Sequence, residues 1–170
     1  MDLQVVSEGQ HPFFQVTPSE IGLFSYVGEF SHISQMVKIG KFCSIGNLCT
    51  IGATQHNLKG LTSYPFRENY AAVPVPETLI GNDVWIGCNA VVMAGLTVGD
   101  GASIGAGSIV TKNVPPYSIV IGNPARILKM RFPQHTIEAL LKSRWWDWPL
   151  EKLKNLPCLD IDRCVELLTT

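Results

Sequence analysis

The amino-acid sequence predicts an all-β solenoid of short parallel strands, because aliphatic residues recur at every sixth position. A unit of six residues is too short for a helix and its turn, but it suits one strand and one corner. Three units would close one triangular coil of about 18 residues, and successive coils would stack by parallel strand pairing. The repeat is carried by twelve positions, all Ile or Val: Ile21, Val27, Ile33, Ile39, Ile45, Ile51, Ile80, Ile86, Val92, Val98, Ile104 and Val110.

Two further columns of residues accompany the aliphatic one. The residue after it is Gly in nine of the twelve units, and the residue two positions before it is small in nine of the twelve. Side chains two apart in a strand point the same way, so the small and the aliphatic residue would both face into the coil. The glycine is expected to allow the sharp bend to the next strand, through backbone angles that other residues avoid.

The repeat divides the chain into coils with one long interruption. Residues 21–56 hold two coils of three units, residues 80–115 hold two more, and residues 116–122 look like part of a fifth. We therefore expect about four to five triangular coils. The interruption falls between complete coils, so a protruding loop can leave and rejoin the stack there without disturbing it.

Both ends of the chain depart from the repeat. The first residues break the period and are expected to cap the first coil. The last part has apolar residues at helical spacing and predicts a C-terminal α-helical tail. Its tryptophans Trp145, Trp146 and Trp148 are expected to pack a helix against the solenoid or a neighbour. The predicted organisation is an N-terminal cap (1–20), a solenoid domain (21–132) with its loop (53–79), and a C-terminal helical extension (133–170).

Composition and charge exclude several classes of protein. Hydrophobic residues make up 46% and charged residues 16% of the chain, which excludes a disordered protein. The net charge of −1 provides no overall basic field for nucleic acid. The longest apolar stretch, residues 90–96, is far below the about 20 residues that cross a bilayer, and no segment resembles a signal peptide. We therefore expect a cytoplasmic protein without a nucleic-acid partner or membrane insertion, and with its five cysteines as free thiols.

Several segments of the chain combine into a recognisable pattern. Residues 80–87 read Ile-Gly-Asn-Asp-Val-Trp-Ile-Gly and follow the loop that contains His56. Gly-Ala-Gly-Ser-Ile-Val-Thr-Lys-Asn-Val-Pro (105–115) and Gly-Asn-Pro-Ala-Arg (122–126) come after them. In this order the segments resemble the left-handed β-helix acyltransferases, which carry hexapeptide repeats. Three further segments resemble the xenobiotic acetyltransferase branch of that family: Ile-Gly-Lys-Phe-Cys-Ser-Ile-Gly (39–46), Tyr-Pro-Phe (64–66) and Trp-Trp-Asp-Trp (145–148).

The resemblance implies a left-handed parallel β-helix and an acetyl-CoA-dependent O-acetyltransferase. Members of the family form homotrimers with an active site at each subunit interface, so the same assembly is expected here. The expected acceptor is a hydroxyl of a sugar in a surface polysaccharide or its precursor. An antibiotic such as chloramphenicol or a streptogramin is the alternative acceptor, because the branch includes enzymes that acetylate antibiotics.

Histidine is the natural base for acetyl transfer to a hydroxyl, because the ordinary pKa of this residue type, about 6.5, lies near neutrality. Among four histidines, His56 stands at the start of the long loop, and loops on a rigid scaffold often carry catalytic groups. The resemblance implies that His56 is the catalytic base and that Trp85 shapes the pocket around it. Tyr64 and Phe66, on the same loop, are expected to line this pocket. His32 and Trp85 are both expected at corners of coils.

Coenzyme A carries phosphates, which favour Arg and Lys partners. Basic residues lie near the predicted C-terminal end of the stack, and Arg131 is among them. The resemblance assigns coenzyme contacts to Cys88, Ala106, Thr111, Lys112, Arg126 and Lys129. No metal is expected, because the three-His zinc site of the hexapeptide carbonic anhydrases needs two histidines close in sequence, and this chain has no such pair.

Two other functions compete with the O-acetyltransferase prediction. A non-catalytic scaffold would not require His56, Trp85 and the basic residues after the last coil to occur together. A sugar-nucleotide N-acetyltransferase would also need a base, so the histidine alone does not exclude it. The Tyr-Pro-Phe segment (64–66) and the Trp-rich tail favour the hydroxyl-modifying branch.

Overall fold

The computed structural model describes residues 21–64 and 74–169; the predicted cap (1–20) and Phe66 lie outside these ranges. Within them the chain forms thirteen short strands, followed by helices. The strands are β1 (Tyr26–Val27), β2 (His32–Ile33), β3 (Val37–Ile39), β4 (Ser44–Ile45), β5 (Thr50–Ala53), β6 (Thr78–Ile80), β7 (Trp85–Ile86), β8 (Val91–Met93), β9 (Thr97–Val98), β10 (Ser103–Ile104), β11 (Ile109–Val110), β12 (Ser118–Gly122) and β13 (Ala125–Met130).

The strands form the three faces of a prism, as the six-residue repeat predicts. The first sheet has the order β1-β4-β7-β10-β12-β13, the second β2-β5-β8-β11 and the third β3-β6-β9. Every pair except β12–β13 is parallel, and the aliphatic column stays in register, for example Ile45 opposite Ile86. The predicted solenoid of parallel strands is therefore confirmed.

Three corners connect the faces, and each is named here after one residue. The Cys88 corner joins the first sheet to the second and comprises residues 28–31, 46–49, 87–90 and 105–108. The His56 corner joins the second sheet to the third and comprises residues 34–36, 54–64, 74–77, 94–96 and 111–113. The Tyr117 corner joins the third sheet to the first and comprises residues 22–25, 40–43, 81–84, 99–102 and 115–117.

The core is a single column of aliphatic and small side chains inside the prism. Ile45, Ile86 and Ile104 are fully buried, and so are Cys43 and Ala102 from the small column. This is the inward pair of columns that the sequence predicts. The serines of the small column use their hydroxyls inside the prism: the Ser25 hydroxyl donates to the Gly40 carbonyl at 2.7 Å and accepts from the Cys43 N–H at 2.8 Å.

Except at Gly52 (φ 79°), the glycines that follow the aliphatic column do not have a left-handed backbone, so the expectation that they form the sharp bends is wrong for the other eight. The left-handed backbone occurs two residues later, for example at Phe42 (φ 60°) and Asn89 (φ 61°). The N–H of Asn89 donates to the Asn47 carbonyl one coil below at 3.0 Å, which holds this conformation. The glycines instead permit close stacking: a Cβ on Gly87 would lie 2.5 Å from the backbone nitrogen of Ala106 in the next coil.

The loop and the end of the stack differ from the prediction in detail. The predicted loop bounds, 53 and 79, each fall inside a strand, because Ala53 belongs to β5 and residues 78–80 form β6. Residues 118–122 pair with β10 as the next rung of the first sheet. After a tight turn β13 runs back antiparallel along β12, a strand that the repeat does not predict because it has no six-residue period.

The chain after β13 is helical and packs on the Tyr117 corner. It comprises α1 (Gln134–Ser143), a short 3₁₀ helix (Trp145–Asp147), α2 (Leu150–Leu153) and α3 (Ile161–Thr169). The Trp145 ring lies 5.4 Å from the Phe42 ring, and its Nε1 donates to the Tyr117 hydroxyl at 3.3 Å. Lys41 bonds Asp147 at 2.8 Å. Trp145 therefore packs the tail on the stack. Among the described residues, no helix is long and apolar enough to cross a membrane.

The buried Cys43 thiol makes stability fall at alkaline pH. Burial raises its pKa to about 11 from an ordinary value of 9.0, and the thiol donates to the Gly81 carbonyl at 3.0 Å. The unfolded chain therefore loses this proton first, and stability present below about pH 9 is lost as the pH rises towards 11. We expect the free energy of unfolding to fall by about 2 kcal/mol from this group between about pH 8 and about pH 10.5.

Urea unfolding of the Cys43→Ala variant at both pH values measures this effect. The variant should lose about 2 kcal/mol less than the wild type over that interval. Cys158→Ala, which removes an exposed thiol, is the matched control and should keep the wild-type pH dependence. An equal loss in all three proteins would contradict the assignment to Cys43.

Candidate functional site

The long loop leaves and rejoins the stack on either side of Ala94. The Ala94 N–H donates to the carbonyl of Ala53, where the loop begins, at 2.9 Å. The returning segment is held at Gly95, whose N–H donates to Thr78 Oγ1 at 2.9 Å. Gly95 has a left-handed backbone (φ 79°), and a Cβ there would lie 2.4 Å from Cγ of Pro76. A glycine is therefore required where the returning chain crosses this corner.

His56 is the third residue of this loop and is exposed. Its Nδ1 is 3.0 Å from the Ser63 carbonyl oxygen. A carbonyl only accepts, so in the neutral ring Nδ1 carries the hydrogen and Nε2 is left as the proton acceptor. One backbone contact seven residues along the chain thus orients the imidazole and selects its tautomer.

An open cavity of about 240 Å³ lies between the two ends of the loop, and Gln55, the residue before His56, is part of its lining. None of the residues that line it carries a charge. It contains mainly small and apolar groups, with Thr54 and Gln55 as polar members. The lining residues are Ala53, Thr54, Gln55, Pro74, Val75, Pro76 and Ala94. Sequence reasoning missed this cavity, because its members come from three segments without a shared motif.

Trp85 stands in the middle of a face rather than at a corner, which corrects the prediction. It is the first residue of β7, is 52% exposed, and projects outward from the first sheet between Ser44 and Ser103. His32, the first residue of β2, is likewise exposed on the second sheet. The reason is strand alternation: both residues directly precede an inward Ile, so their side chains face outward.

The Cys88 corner carries three of the residues predicted to contact the coenzyme. Cys88 and Ala106 occupy equivalent positions in successive coils, and both are exposed. The Gly107 N–H donates to the Cys88 carbonyl at 2.9 Å, which joins these two rungs. The turn before Arg126 lies on the same corner, because the Gly122 N–H donates to Ser108 Oγ at 3.0 Å. Arg126 follows this turn and is exposed.

The other three predicted coenzyme residues lie elsewhere. Thr111 and Lys112 are exposed at the His56 corner, directly after β11. Lys129 is on β13, opposite Ile119 of the first sheet. Within one chain the six residues therefore form two separate groups on two corners, with Lys129 apart from both.

Arg131, one of the basic residues near the end of the stack, is held in an internal ion pair. Its guanidinium bonds Asp83 Oδ2 at 3.0 Å and the Gly101 carbonyl at 2.7 Å. Burial raises the pKa of the Asp83 carboxyl, and the neighbouring Arg131 opposes that shift. Arg131 thus links two successive rungs of the Tyr117 corner, beside the start of the helical tail.

The outer face of the second sheet lies between the Cys88 and His56 corners. Its ladder runs from His32 through Thr50 and Val91 to Ile109, and none of these rungs is acidic or a lysine or arginine. Tyr64, another predicted pocket residue, is 68% exposed on the loop, where its N–H donates to Thr62 Oγ1 at 3.1 Å.

His56 and Trp85 lie on opposite sides of the prism. The His56 corner joins the second and third sheets, so it faces away from the first sheet, which carries Trp85. His56 is the third residue after the end of β5, so its Cα lies within about 10 Å of that strand. One chain alone therefore does not assemble the predicted base and the predicted pocket tryptophan into one site.

Comparison with known proteins identifies the family. The family model described as bacterial transferase hexapeptide (six repeats) matches residues 77–112. A probable macrolide acetyltransferase of Lysinibacillus sphaericus is 43% identical over an alignment of 125 residues, and the match covers 66% of this chain and 69% of that protein. The chain belongs to the hexapeptide-repeat transferases. This family match and the parallel sheets imply a left-handed β-helix.

Further relatives of this hexapeptide-repeat transferase differ in length and in named acceptor. A chloramphenicol acetyltransferase of Agrobacterium fabrum is 46% identical over an alignment of 113 residues, and the match covers 61% of this chain and 54% of that protein. The chain thus spans about half the length of that relative. A maltose O-acetyltransferase from Clostridium difficile 630 has a TM-score of 0.54 at 25% identity, and the match covers 71% of this chain and 72% of that one.

One solved structure adds evidence on the fold alone. It is a mutant of AntD, an N-acyltransferase from Bacillus cereus, in complex with dTDP and coenzyme A. It has a TM-score of 0.61 at 22% identity, with 79% of this chain and 70% of that chain covered.

Proposed function

We propose that this chain is an acetyl-CoA-dependent O-acetyltransferase whose active site forms between two protomers of a homotrimer. The observation that carries the proposal is His56, whose Nδ1 is held by the Ser63 carbonyl at 3.0 Å while Nε2 stays available as a base. Family membership supports acyl transfer, and the named relatives support acetyl as the transferred group. The scaffold is a left-handed β-helix of about four to five coils with the helical tail on one corner.

The chemistry is direct transfer with His56 as general base. Nε2 removes the proton of the acceptor hydroxyl while that oxygen attacks the carbonyl carbon of the thioester. The resulting tetrahedral centre collapses, the carbon–sulfur bond breaks, and the imidazolium returns its proton to the leaving thiolate. The hydrogen bond from Nδ1 to a backbone carbonyl stabilises the imidazolium that forms during this step.

The Cys88 corner has the properties that a pantetheine arm and phosphates require. Cys88 and Ala106 line an exposed edge of backbone along which an extended arm can lie, and the Arg126 guanidinium stands at the end of this edge. Thr111 and Lys112, at the other corner, would reach the coenzyme from a second protomer. Lys129 on β13 adds a further cation beside the first sheet.

A trimer would bring the two corners together. The uncharged outer face of the second sheet, from His32 to Ile109, is suited to burial against a threefold axis. With this face inward, cyclic symmetry sets the His56 corner of one protomer against the Cys88 corner of the next. The base of one chain would then meet the donor edge of its neighbour, close to the face that carries Trp85.

The proposed acceptor is a hydroxyl of a sugar in a surface polysaccharide or its precursor, in the cytoplasm. The likeness to a maltose O-acetyltransferase supports a sugar. An antibiotic hydroxyl is the second candidate, and the relatives named as chloramphenicol and macrolide acetyltransferases favour it.

A coenzyme-release assay tests the function and separates the two acceptors. Free thiol is measured with acetyl-CoA and a panel of sugars, chloramphenicol, macrolides and streptogramins. Turnover of at least one hydroxyl acceptor, abolished by His56→Ala, is the expected result. Turnover on an antibiotic at ordinary catalytic efficiency would replace the sugar by the second candidate. Release that is independent of any hydroxyl acceptor would contradict the proposal as a whole.

Lys112→Ala tests the contact between Lys112 and the coenzyme. Loss of an exposed cation from a phosphate site should raise the KM for acetyl-CoA roughly three- to tenfold and leave kcat nearly unchanged. Lys142→Ala, on α1 far from both corners, is the matched control and should leave that KM unchanged. An unchanged KM in Lys112→Ala would remove this lysine from the coenzyme site.

A further inference from the structure

His32 begins the ladder of the second sheet and presents its side chain to the outside of the prism. The next residue, Ile33, is buried in the core, so strand alternation turns His32 outward, and it is exposed. Its backbone is fixed by the neighbouring coil, because the His32 N–H donates to the Cys49 carbonyl at 2.8 Å. The proposed acetyl transfer assigns no role to this imidazole.

The other outward rungs of the same ladder are Thr50, Val91 and Ile109, and each is half-buried. Parallel strands stack these side chains in one line, with successive rungs about 4.8 Å apart. His32 therefore lies at the end of an uncharged and mostly aliphatic stripe. Among the described strands β2 is the end of this sheet, so no further rung covers the side of the ring that faces away from Thr50.

A threefold axis beside this face would bring three copies of His32 together. The proposed trimer turns the second sheet towards the axis, and cyclic symmetry places equivalent residues at equal distances from it. Val91 and Ile109 would pack around this axis and set its distance from the strands. An imidazole reaches farther from the backbone than either aliphatic side chain, so three imidazoles at that distance converge with their ring nitrogens on the axis.

We propose that the three His32 side chains of the homotrimer bind one divalent transition-metal cation, of the Zn²⁺ class, on the threefold axis. The inference rests on the trimer of the proposed function. Imidazole nitrogen is a preferred Zn²⁺ ligand at about 2.0–2.1 Å, and sites with three histidines keep a fourth position for water. That position faces along the axis, away from Thr50. The cation cross-links three chains and thereby stabilises the trimer.

A search for ligands within one chain does not find this site. Among the described residues, no group of three His, Cys, Asp or Glu side chains is arranged to hold a metal ion. The sequence also has no close pair of histidines, which argues against a zinc site built by a single chain. Neither observation bears on a site to which each of three chains contributes one nitrogen.

Zinc binding by protein without a histidine tag tests the site. Metal-free protein is titrated with zinc sulfate, bound zinc is counted by elemental analysis, and sedimentation gives the assembly state. We expect one Zn²⁺ per three chains and a higher thermal midpoint when zinc is present. Co²⁺ serves as an optical probe that separates imidazole ligation from ligation by the exposed thiols of Cys88 and Cys158.

His32→Thr removes all three ligands and places the residue type of the next rung, Thr50, in β2. It should remain trimeric, bind Zn²⁺ about a hundredfold more weakly or worse, and lose the zinc-dependent rise in thermal midpoint. His135→Ala, which removes an exposed histidine on α1, is the matched control and should keep the wild-type stoichiometry and affinity.

The outcomes separate this inference from the proposed function. A trimeric wild type that binds no Zn²⁺, one ion per chain, or binding that persists in His32→Thr would overturn the axial site and leave acetyl transfer by His56 untouched. A monomeric wild type would remove both the axial site and the active site shared between protomers. The coenzyme-release assay decides independently whether His56 supports acetyl transfer.

Discussion

Replacing His56 by alanine is expected to lower kcat by about a hundred- to ten-thousandfold and to leave the KM for acetyl-CoA nearly unchanged. The Ser63 carbonyl fixes the ring so that Nε2 is the free nitrogen, and no other histidine lies in the described part of this loop. The alanine variant keeps the loop attachments at Ala53 and Gly95, because neither involves the imidazole. The loss should therefore fall on the chemical step rather than on folding.

His135→Ala is the matched control for this substitution. His135 lies on α1, in the tail that packs on the Tyr117 corner, and its side chain is exposed. This variant should retain wild-type kcat, and both variants should show the wild-type free energy of unfolding. A His56→Ala protein with full activity would disprove the assignment of the base.

Replacing Gly95 by alanine is expected to disrupt both stability and acceptor binding. The left-handed backbone at Gly95 costs a residue with a Cβ about 1–2 kcal/mol. The Cβ would also meet Pro76 at 2.4 Å, and this overpacking should cost about 1–3 kcal/mol more. Because Pro76 and Gln55, the residue before His56, line the same cavity, displacement of the returning segment should also raise the KM for the acceptor.

Gly107→Ala separates the two components of this effect. Gly107 has a similar backbone (φ 68°), but no atom lies within 4 Å of the position where its Cβ would be. The difference in the free energy of unfolding between the two variants, from urea titration, therefore measures the contact with Pro76. Equal stabilities of Gly95→Ala and Gly107→Ala would show that Pro76 can move aside without cost.

The strand positions could be predicted from sequence because one local rule governs them. Residues such as Ile86 and Val92 are buried since inward and outward side chains alternate, and a period of six places every inward residue on the same axis. The helical tail follows a different period, and its burial of Ile137 and Leu140 agrees with the apolar spacing of that segment.

The corners were harder to predict because their conformation depends on the neighbouring coil. Phe42 and Leu48 have left-handed backbones although neither is glycine. Their N–H groups donate to carbonyls of the coil below, at Leu23 (3.1 Å) and Glu29 (2.9 Å). From sequence alone, left-handed backbone angles are expected at glycine. The actual role of Gly87 and its equivalents, which is to let successive coils stack closely, is seen only in the structure.

The sequence predicted the candidate catalytic base, His56, but not the arrangement of the residues around it. His56 stands out in sequence because it lies near the start of the long loop, whereas the attachment of the returning segment depends on Gly95 meeting Pro76, a pair without a motif. Arginine is a common phosphate ligand, so sequence alone makes Arg131 a candidate. Only the structure shows that its guanidinium forms an ion pair with Asp83 Oδ2 at 3.0 Å. The separation of His56 from Trp85 likewise follows from the order of the sheets.

Mixing two inactive variants tests most directly whether the site forms between protomers. His56→Ala lacks the base, and Ala106→Trp blocks the exposed donor edge of the Cys88 corner. In trimers assembled at random from equal amounts of both, about one interface in four would combine an intact base with an intact edge. We predict that co-refolded mixtures regain about a quarter of the wild-type rate. A mixture no more active than its two parents would contradict a site shared between neighbouring chains.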